Sequence, residues 1–417
     1  MRVCSRLVVF RTLTRAALAL AALAAPAAAQ TLPSRPIAFA DGRIAIGAEV
    51  TATGSLREDA GFYNYTDYDR SALRLVRLGL AVSIRATDRV SVLGEIRTEN
   101  FDSAIPHALY ARVRPWLTRP FAIQAGRIPP VFGAYPRRGY GSAEPLIGYP
   151  LAYQYLTTLR ANAVPASLGD LVSRRGSGWY LYYPVGSAQG DNGLPLVTAL
   201  RWDTGVQATW APERYELSAA VTTGTLSNPR VKDDNGGKQI AARAAVRPVV
   251  GLVLGLSAAR GAYLAREVTR LLPAGSSAGA FTQQAFGADV EYSRDYWLLR
   301  GETMVSRWRL PAVGTLDLAD PLSAVSLSVE GRYKLAPAIY AAARVEHLGF
   351  STLPGSARVT ASARDVAWDA AVTRIEIGGG YYFQRNLIGK VAYQHNWRDG
   401  GRIRSRGFLA GQIAFWF

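Results

Sequence analysis

The residues able to do acid–base or nucleophilic chemistry are few and scattered. Three histidines, His107, His347 and His395, belong to no recognisable site: the chain has no Gly-x-Ser-x-Gly, no His-Glu-x-x-His and no phosphate-cradling glycine loop. A hydrolase built on a barrel would need a serine and a histidine meeting at an outer rim, or an aspartate and a histidine at the mouth. His347, next to Glu346, and His395, next to Asn396, fall near expected strand ends, so a barrel hydrolase stands as an alternative to test. Asp233-Asp-Asn-Gly-Gly237 reads as a tight turn ahead of a calcium site. Without Cys-x-x-Cys-His there is no haem attachment. We expect no catalytic residue, no cofactor and no metal.

Charge is plentiful instead. Lysine occurs only at Lys232, Lys238, Lys334 and Lys390, so the positive charge is almost all arginine. Much of it alternates with glutamate along the chain, as Glu95-x-Arg97 and Arg344-x-Glu346 do, with Arg112, Arg114, Arg332 and Arg374 in similar stretches. In a wet lumen such residues form ion pairs and solvated walls. An excess of arginine there would also favour anions.

The elements that must carry these charges follow from a period of two. Val325, Leu327, Val329, Gly331, Tyr333 and Leu335 share one face of an extended chain, and Ser326, Ser328, Glu330, Arg332 and Lys334 the other. A helix would scatter those charges around its circumference. Segments 90–99, 373–383 and 387–397 split in the same way. Such strands run about 10–14 residues, near the length a tilted strand needs to span hydrocarbon.

Short connections (86–89, 117–120, 211–214, 247–249, 293–295, 335–338, 383–386) alternate with longer polar ones (56–71, 128–204, 225–237, 261–283, 309–321, 350–370, 398–405, and a shorter link at 102–106). Short turns on the periplasmic side and long loops outside are the asymmetry of outer-membrane barrels. The fold expected is all-β: one transmembrane antiparallel β-barrel of about 16 strands, or about 18 if segments 179–184 and 196–202 form a further hairpin. The last strand places Leu409, Ile413, Phe415 and Phe417 on one face. This looks like the terminal-strand signal of outer-membrane proteins, and Phe417 is the residue expected to engage a barrel-assembly machinery.

The beginning of the chain sets the compartment. Residues 1–29 hold Arg2, Arg6, Arg11 and Arg15, an apolar run at 16–25 and then Pro26-Ala-Ala-Ala29, the marks of a cleaved secretory signal. Its removal lowers the formal net charge from +17 to +13 and takes away Cys4, the single cysteine. The mature chain, residues 30–417, is therefore expected to have no disulfide and no thiol chemistry. No apolar stretch of about 20 residues follows, which leaves a barrel as the spanning structure. A basic excess often signals nucleic acid, but an exported protein rarely meets any. Anionic solutes, outer-membrane lipid and lipopolysaccharide are the expected partners.

The long segment 128–204 needs a use, since structureless loops of that length are rarely idle. It carries Arg137, Arg138, Arg160, Arg174 and Arg175 among many tyrosines. Folded into the lumen, it would narrow the bore and present basic and aromatic groups to solutes. At its start, Ala125-Gly-Arg-Ile-Pro-Pro-Val-Phe-Gly133 resembles a stretch of the phosphate-selective porin O/P superfamily, through Gly126, Arg127, Pro130, Phe132 and Gly133. That resemblance implies an outer-membrane channel, commonly trimeric, with anion passage in the best-known members. The scarcity of lysine departs from those members.

The resulting expectation is a porin that passes small hydrophilic solutes down their gradient with a modest anion preference. Besides the hydrolase, the alternative is a structural or docking barrel of an envelope complex. Only 30–42 precede the first strand, which disfavours an N-terminal plug.

Overall fold

The computed structural model describes residues 35–56, 63–65, 71–198, 201–272 and 276–417. The leader read at 1–29 lies outside the described residues. Sixteen strands form a closed antiparallel wall: β1 (Ile44–Ser55), β2 (Leu75–Arg85), β3 (Val90–Glu99), β4 (Ala104–Val113), β5 (Phe121–Ile128), β6 (Asp203–Trp210), β7 (Tyr215–Thr222), β8 (Gln239–Val246), β9 (Leu252–Ala262), β10 (Thr282–Arg294), β11 (Trp297–Trp308), β12 (Leu322–Ala336), β13 (Ile339–Phe350), β14 (Val372–Gln384), β15 (Leu387–Arg398) and β16 (Ser405–Trp416). Each strand pairs with the next. β16 returns to β1, Ala410 opposite Ser55 and Trp416 opposite Glu49. The seam is extended past the strand end by Phe417, whose backbone exchanges two 3.0 Å hydrogen bonds with Ala48. The short segment Ile37–Phe39 folds back on the start of β1.

The wall is inside-out, and the alternation explains why. Leu327, Ile377 and Val391, on the face turned away from the lumen, are 52%, 57% and 59% exposed, while Arg344, Arg374 and Glu376 on the opposite face are 1%, 0% and 1% exposed. A water-soluble sandwich would reverse those values. An apolar outer belt around a charged interior is the pattern of a wall that meets hydrocarbon outside and polar groups within.

β10–β11, β12–β13 and β14–β15 are joined by two residues each, whereas β5–β6 are joined by residues 129–202. The eighteen-strand alternative is not realised: residues 179–184 and 196–198 run irregularly inside the long connection. Regular backbone there amounts to Ala163–Val164 paired with Val185–Gly186, a turn of 3-10 helix at Tyr135–Arg137 and two short α-helices, α1 (Leu151–Gln154) and α2 (Leu168–Ser173). α1 ends after a single turn, at Gln154. Tyr155 is already extended, and Thr157 turns its hydroxyl to the Leu194 carbonyl at 2.7 Å. For these residues tertiary hydrogen bonds outweigh local helix propensity.

Candidate functional site

The long connection enters the lumen at Pro129 and Pro130, which have no N–H to continue the ladder beyond β5. Phe132 is fully buried, and its ring lies against Gly287 of β10. Gly133 adopts φ +67, and a Cβ there would fall 2.7 Å from Glu302 Oε1, so glycine is required. Its N–H donates to Ser257 Oγ of β9 at 3.0 Å, and the Ala134 N–H donates to Glu302 Oε1 of β11 at 2.9 Å. The chain is thus pulled from β5 toward wall strands four and six places away.

Residues 140–151 are then fastened to inward side chains of β1 and β13–β15. Irregular backbone away from water must find partners, and the wall supplies them. Glu49 accepts the N–H groups of Gly141 and Ser142 at 2.8 and 2.9 Å. Glu376 Oε1 accepts those of Ile147 and Gly148 at 3.2 and 2.8 Å, and Glu346 that of Leu151 at 2.8 Å. On the carbonyl side, Lys390 Nζ donates to Glu144 O at 2.6 Å, Tyr340 to Pro145 O at 2.9 Å and Arg374 to Tyr149 O at 2.9 Å.

Three of those anchors, Glu346, Arg374 and Glu376, belong to one charge network. Arg138 meets Glu291 at 2.9 Å and Arg300 meets Glu291 and Glu330 at 3.0 and 3.1 Å. Arg344 meets Glu330, Glu346 and Glu376 at 3.2, 3.2 and 2.8 Å. Buried charges of this kind are tolerated because each faces opposite charge and further hydrogen bonds. Glu144, on the loop, is the least well met: its Oε2 lies 4.0 Å from Arg344. Burial first, then the neighbouring Glu330, pushes its carboxyl up to about 7, and its Oε1 has no hydrogen-bond partner.

The second half of the connection rests on the long loops at the same end. Asp369 accepts the N–H groups of Thr158 and Gly176 at 2.9 and 2.8 Å. Trp368 packs edge to face against both Trp308 and Phe350, and the Tyr155 ring lies tilted against Phe350 at 6.3 Å. The connection fills much of the lumen towards that end as an apolar and hydrogen-bonded plug. Beneath it, a cavity of about 790 Å³ lined by Tyr140, Tyr110, Arg112, Gln124, Arg114 and Arg119 runs from the loop to the short turns.

The candidate residues divide sharply by position. Arg97 pairs with Glu95 at 2.5 Å and lies 4.6 Å from the Tyr140 ring. Arg344 and Arg374 hold the loop, and Arg332 lies 5.7 Å from the Tyr340 ring. Arg112 faces the open cavity, its guanidinium 2.9 Å from the Gln124 side-chain oxygen once that amide is oriented to accept, and Arg114 follows in the exposed turn. Arg127 sits opposite Leu109 and Thr204 on the outward set, not in the lumen, with Nε on the Trp202 carbonyl at 3.1 Å. Among the loop arginines, Arg138 is ion-paired, and Arg160 is buried and bonded to Asn162 and Leu181. Arg175 donates to Asp399 O at 3.2 Å and Arg174 is exposed. Nothing is described of the Arg137 side chain.

Sequence reasoning missed Glu49, Arg77, Arg243, Glu376 and Lys390 as site residues. Arg77 pairs with Glu99 and Arg243 with Asp289. All five occupy inward positions of alternating strands, a signal the sequence did carry.

The histidines lie apart from the lumen network. His347 and His395 face outward, Nδ1 of the first 2.9 Å from Thr373 Oγ1. His395 lies 3.1 Å from both Ser405 Oγ and Tyr393 Oη. A tyrosine in that third position brings no negative charge to stabilise an imidazolium, unlike the carboxylate of a hydrolytic triad. His107 is buried against Trp202 at 4.7 Å.

No protein-family model matches the chain, and no curated protein matches it. Solved structures do. The trimer form of OmpT, an outer membrane protein of Vibrio cholerae, superposes with TM-score 0.52 at 12% identity, over 90% of this chain and 99% of that one. The outer membrane channel DcaP of Acinetobacter baumannii gives 0.51 at 12%, over 92% and 100%. An anion-selective porin from Comamonas acidovorans gives 0.51 at 10%, over 90% and 99%. At such identities the likeness shows the fold: a sixteen-stranded barrel of the outer-membrane porin type.

Proposed function

We propose that this chain is a passive diffusion channel of a Gram-negative outer membrane, passing small hydrophilic solutes with a modest anion preference. The observation that carries the reading is the inside-out wall around a charged lumen with a loop fastened across it. A structural barrel has no need to keep a cavity of about 790 Å³ between such a loop and the mouth. The anion preference rests on asymmetry within the lumen. Inward Arg243, Arg300, Arg344 and Arg374 are met by carboxylates, whereas Arg112 and Arg114 have none at ion-pair distance among the described residues; Glu216, which lines the same cavity, is paired with Arg247 at 3.2 Å.

Export through the periplasm with loss of residues 1–29, insertion by a barrel-assembly machinery reading Phe417, and assembly as a homotrimer complete the proposal. The trimer form of OmpT supports the last. The stretch from Gly126 to Gly133 turns the chain into the lumen. That use supports kinship with porins of the O/P type through an inserted loop and does not select phosphate. The test is the reversal potential of purified protein in a planar bilayer under a KCl gradient. A potential of the sign set by chloride supports the reading, and one set by potassium overturns the anion preference. Lipid hydrolysis without conductance would favour the hydrolase.

A further inference from the structure

The short-turn end of β1–β4 carries a second basic feature, separate from the loop network. Arg43 precedes β1, Arg85 ends β2, Arg89 lies in the β2–β3 turn, Arg112 is on β4 and Arg114 follows it. The backbone locks them together: Arg85 N donates to Arg43 O at 2.7 Å and Arg114 N to Arg89 O at 2.8 Å. Ser91 of β3 is the register partner of both Arg85 and Arg112, so the two arginines flank it in one inward row. All five line one cavity of about 400 Å³, and Asp88 is the carboxylate among its lining residues. Ala45, Ser83 and Ser91 at the intervening positions are small, which leaves room between the guanidinium groups.

Elsewhere in this lumen arginines meet carboxylates at ion-pair distance, as Arg77, Arg97, Arg243, Arg300 and Arg344 do. Among the described residues no carboxylate, Asp88 included, lies at ion-pair distance from any of these five. Five like charges around one small space repel one another unless something anionic sits among them. The guanidinium fork matches carboxylate and phosphate oxygens in plane, and several forks converging on one cavity reward an anion that carries several such groups.

We propose that this cavity is a binding site for a small multivalent oxyanion, such as a polyphosphate or a tricarboxylate, at the short-turn mouth of the channel. The inward row of Arg85 and Arg112 assigns it to a solute in the lumen and not to a lipid phosphate. The inference rests on the channel reading for its role in transport, but not for the binding itself.

The probe is sodium pyrophosphate, applied to the full chain in planar bilayers of neutral lipid and, separately, in detergent by calorimetry. Pyrophosphate should block the chloride current where equal ionic strength of KCl does not. Replacing Arg85, Arg112 and Arg114 together by Ser should raise the half-blocking concentration about tenfold or more. The triple Lys variant, which keeps charge and loses the fork, should fall between. Arg364→Ser, in an exposed loop at the other end, should leave the block unchanged.

Conductance with no block, or a block that the triple Ser variant retains, overturns the site and leaves the channel standing. Binding by calorimetry that the variant loses, in a protein that never conducts, supports the site and removes the channel. Block that disappears when phosphatidic acid is added to the bilayer gives the site to a lipid headgroup and overturns the assignment to a solute. Heat-modifiable mobility on gels verifies that each variant is folded.

Discussion

Arg344 and Glu376 sit opposite each other on β13 and β14, joined at 2.8 Å, and both reach the same residue of the inserted loop. Glu376 accepts the Gly148 N–H, and Arg344 donates to the Gly148 carbonyl. A wall ion pair thus closes both hydrogen-bonding sides of one loop residue. Charged wall residues, already paired with each other, also hold the inserted loop by its backbone.

Replacing Arg344 by Met leaves Glu330, Glu346 and Glu376 facing one another in a buried space without their shared cation. Removing one partner of such a network costs about 3–5 kcal/mol. The temperature at which the folded, fast-migrating gel band disappears should drop accordingly. An unchanged transition would mean that the network does not hold the barrel interior together.

A side chain at Gly148 has nowhere to go. A Cβ there would lie 2.5 Å from Gln394 Nε2 and 2.7 Å from Glu376 Oε2, and overpacking of this kind costs about 1–3 kcal/mol. Gly148→Val should loosen the loop without unfolding the wall. The expected readout is larger and noisier single-channel current with unchanged strand content by circular dichroism.

Glu144 makes loop packing depend on pH. Its carboxyl is raised by burial to about 7, whereas in an unfolded chain it would titrate near about 4.3. Its contribution is therefore complete below the unfolded value and is lost as pH rises through about 7. Current noise and tryptic cleavage of the loop should increase between pH 5.5 and 8.5 in the parent protein. In Glu144→Gln both should be flat across that range.

The inside-out wall can be probed by single cysteines, since Cys4 is the only native one and lies in the proposed leader. Ser328→Cys on the inward face of β12 should react with a membrane-impermeant maleimide in lipid vesicles. Val329→Cys, one residue on and about half exposed on the outer face, should not. Equal labelling of the two would contradict the assignment of faces.

The wall was legible in sequence because each strand writes its own alternation. Val325 to Leu335 fixes which side of β12 meets lipid without reference to any other strand. Alternating connection lengths then led to sixteen strands. The fastening of the loop was not legible, because it joins residues far apart in the chain: Gly141 to Glu49, Gly148 to Glu376, Thr158 to Asp369. No local pattern marks a carboxylate as the acceptor of a distant N–H. The partners of the loop arginines Arg138 and Arg160 were hidden for the same reason, since spacing cannot reveal them. Arg127 shows a subtler limit. Gly126, at φ +130, and the two prolines obscure the alternation at the point where the strand ends.

The most direct measurement is single-channel current from the purified chain in a planar bilayer at symmetric KCl. A water-filled lumen narrowed by a fastened loop gives discrete steps of uniform size that scale with salt concentration. A silent bilayer, with protein shown to be folded and inserted, would contradict it.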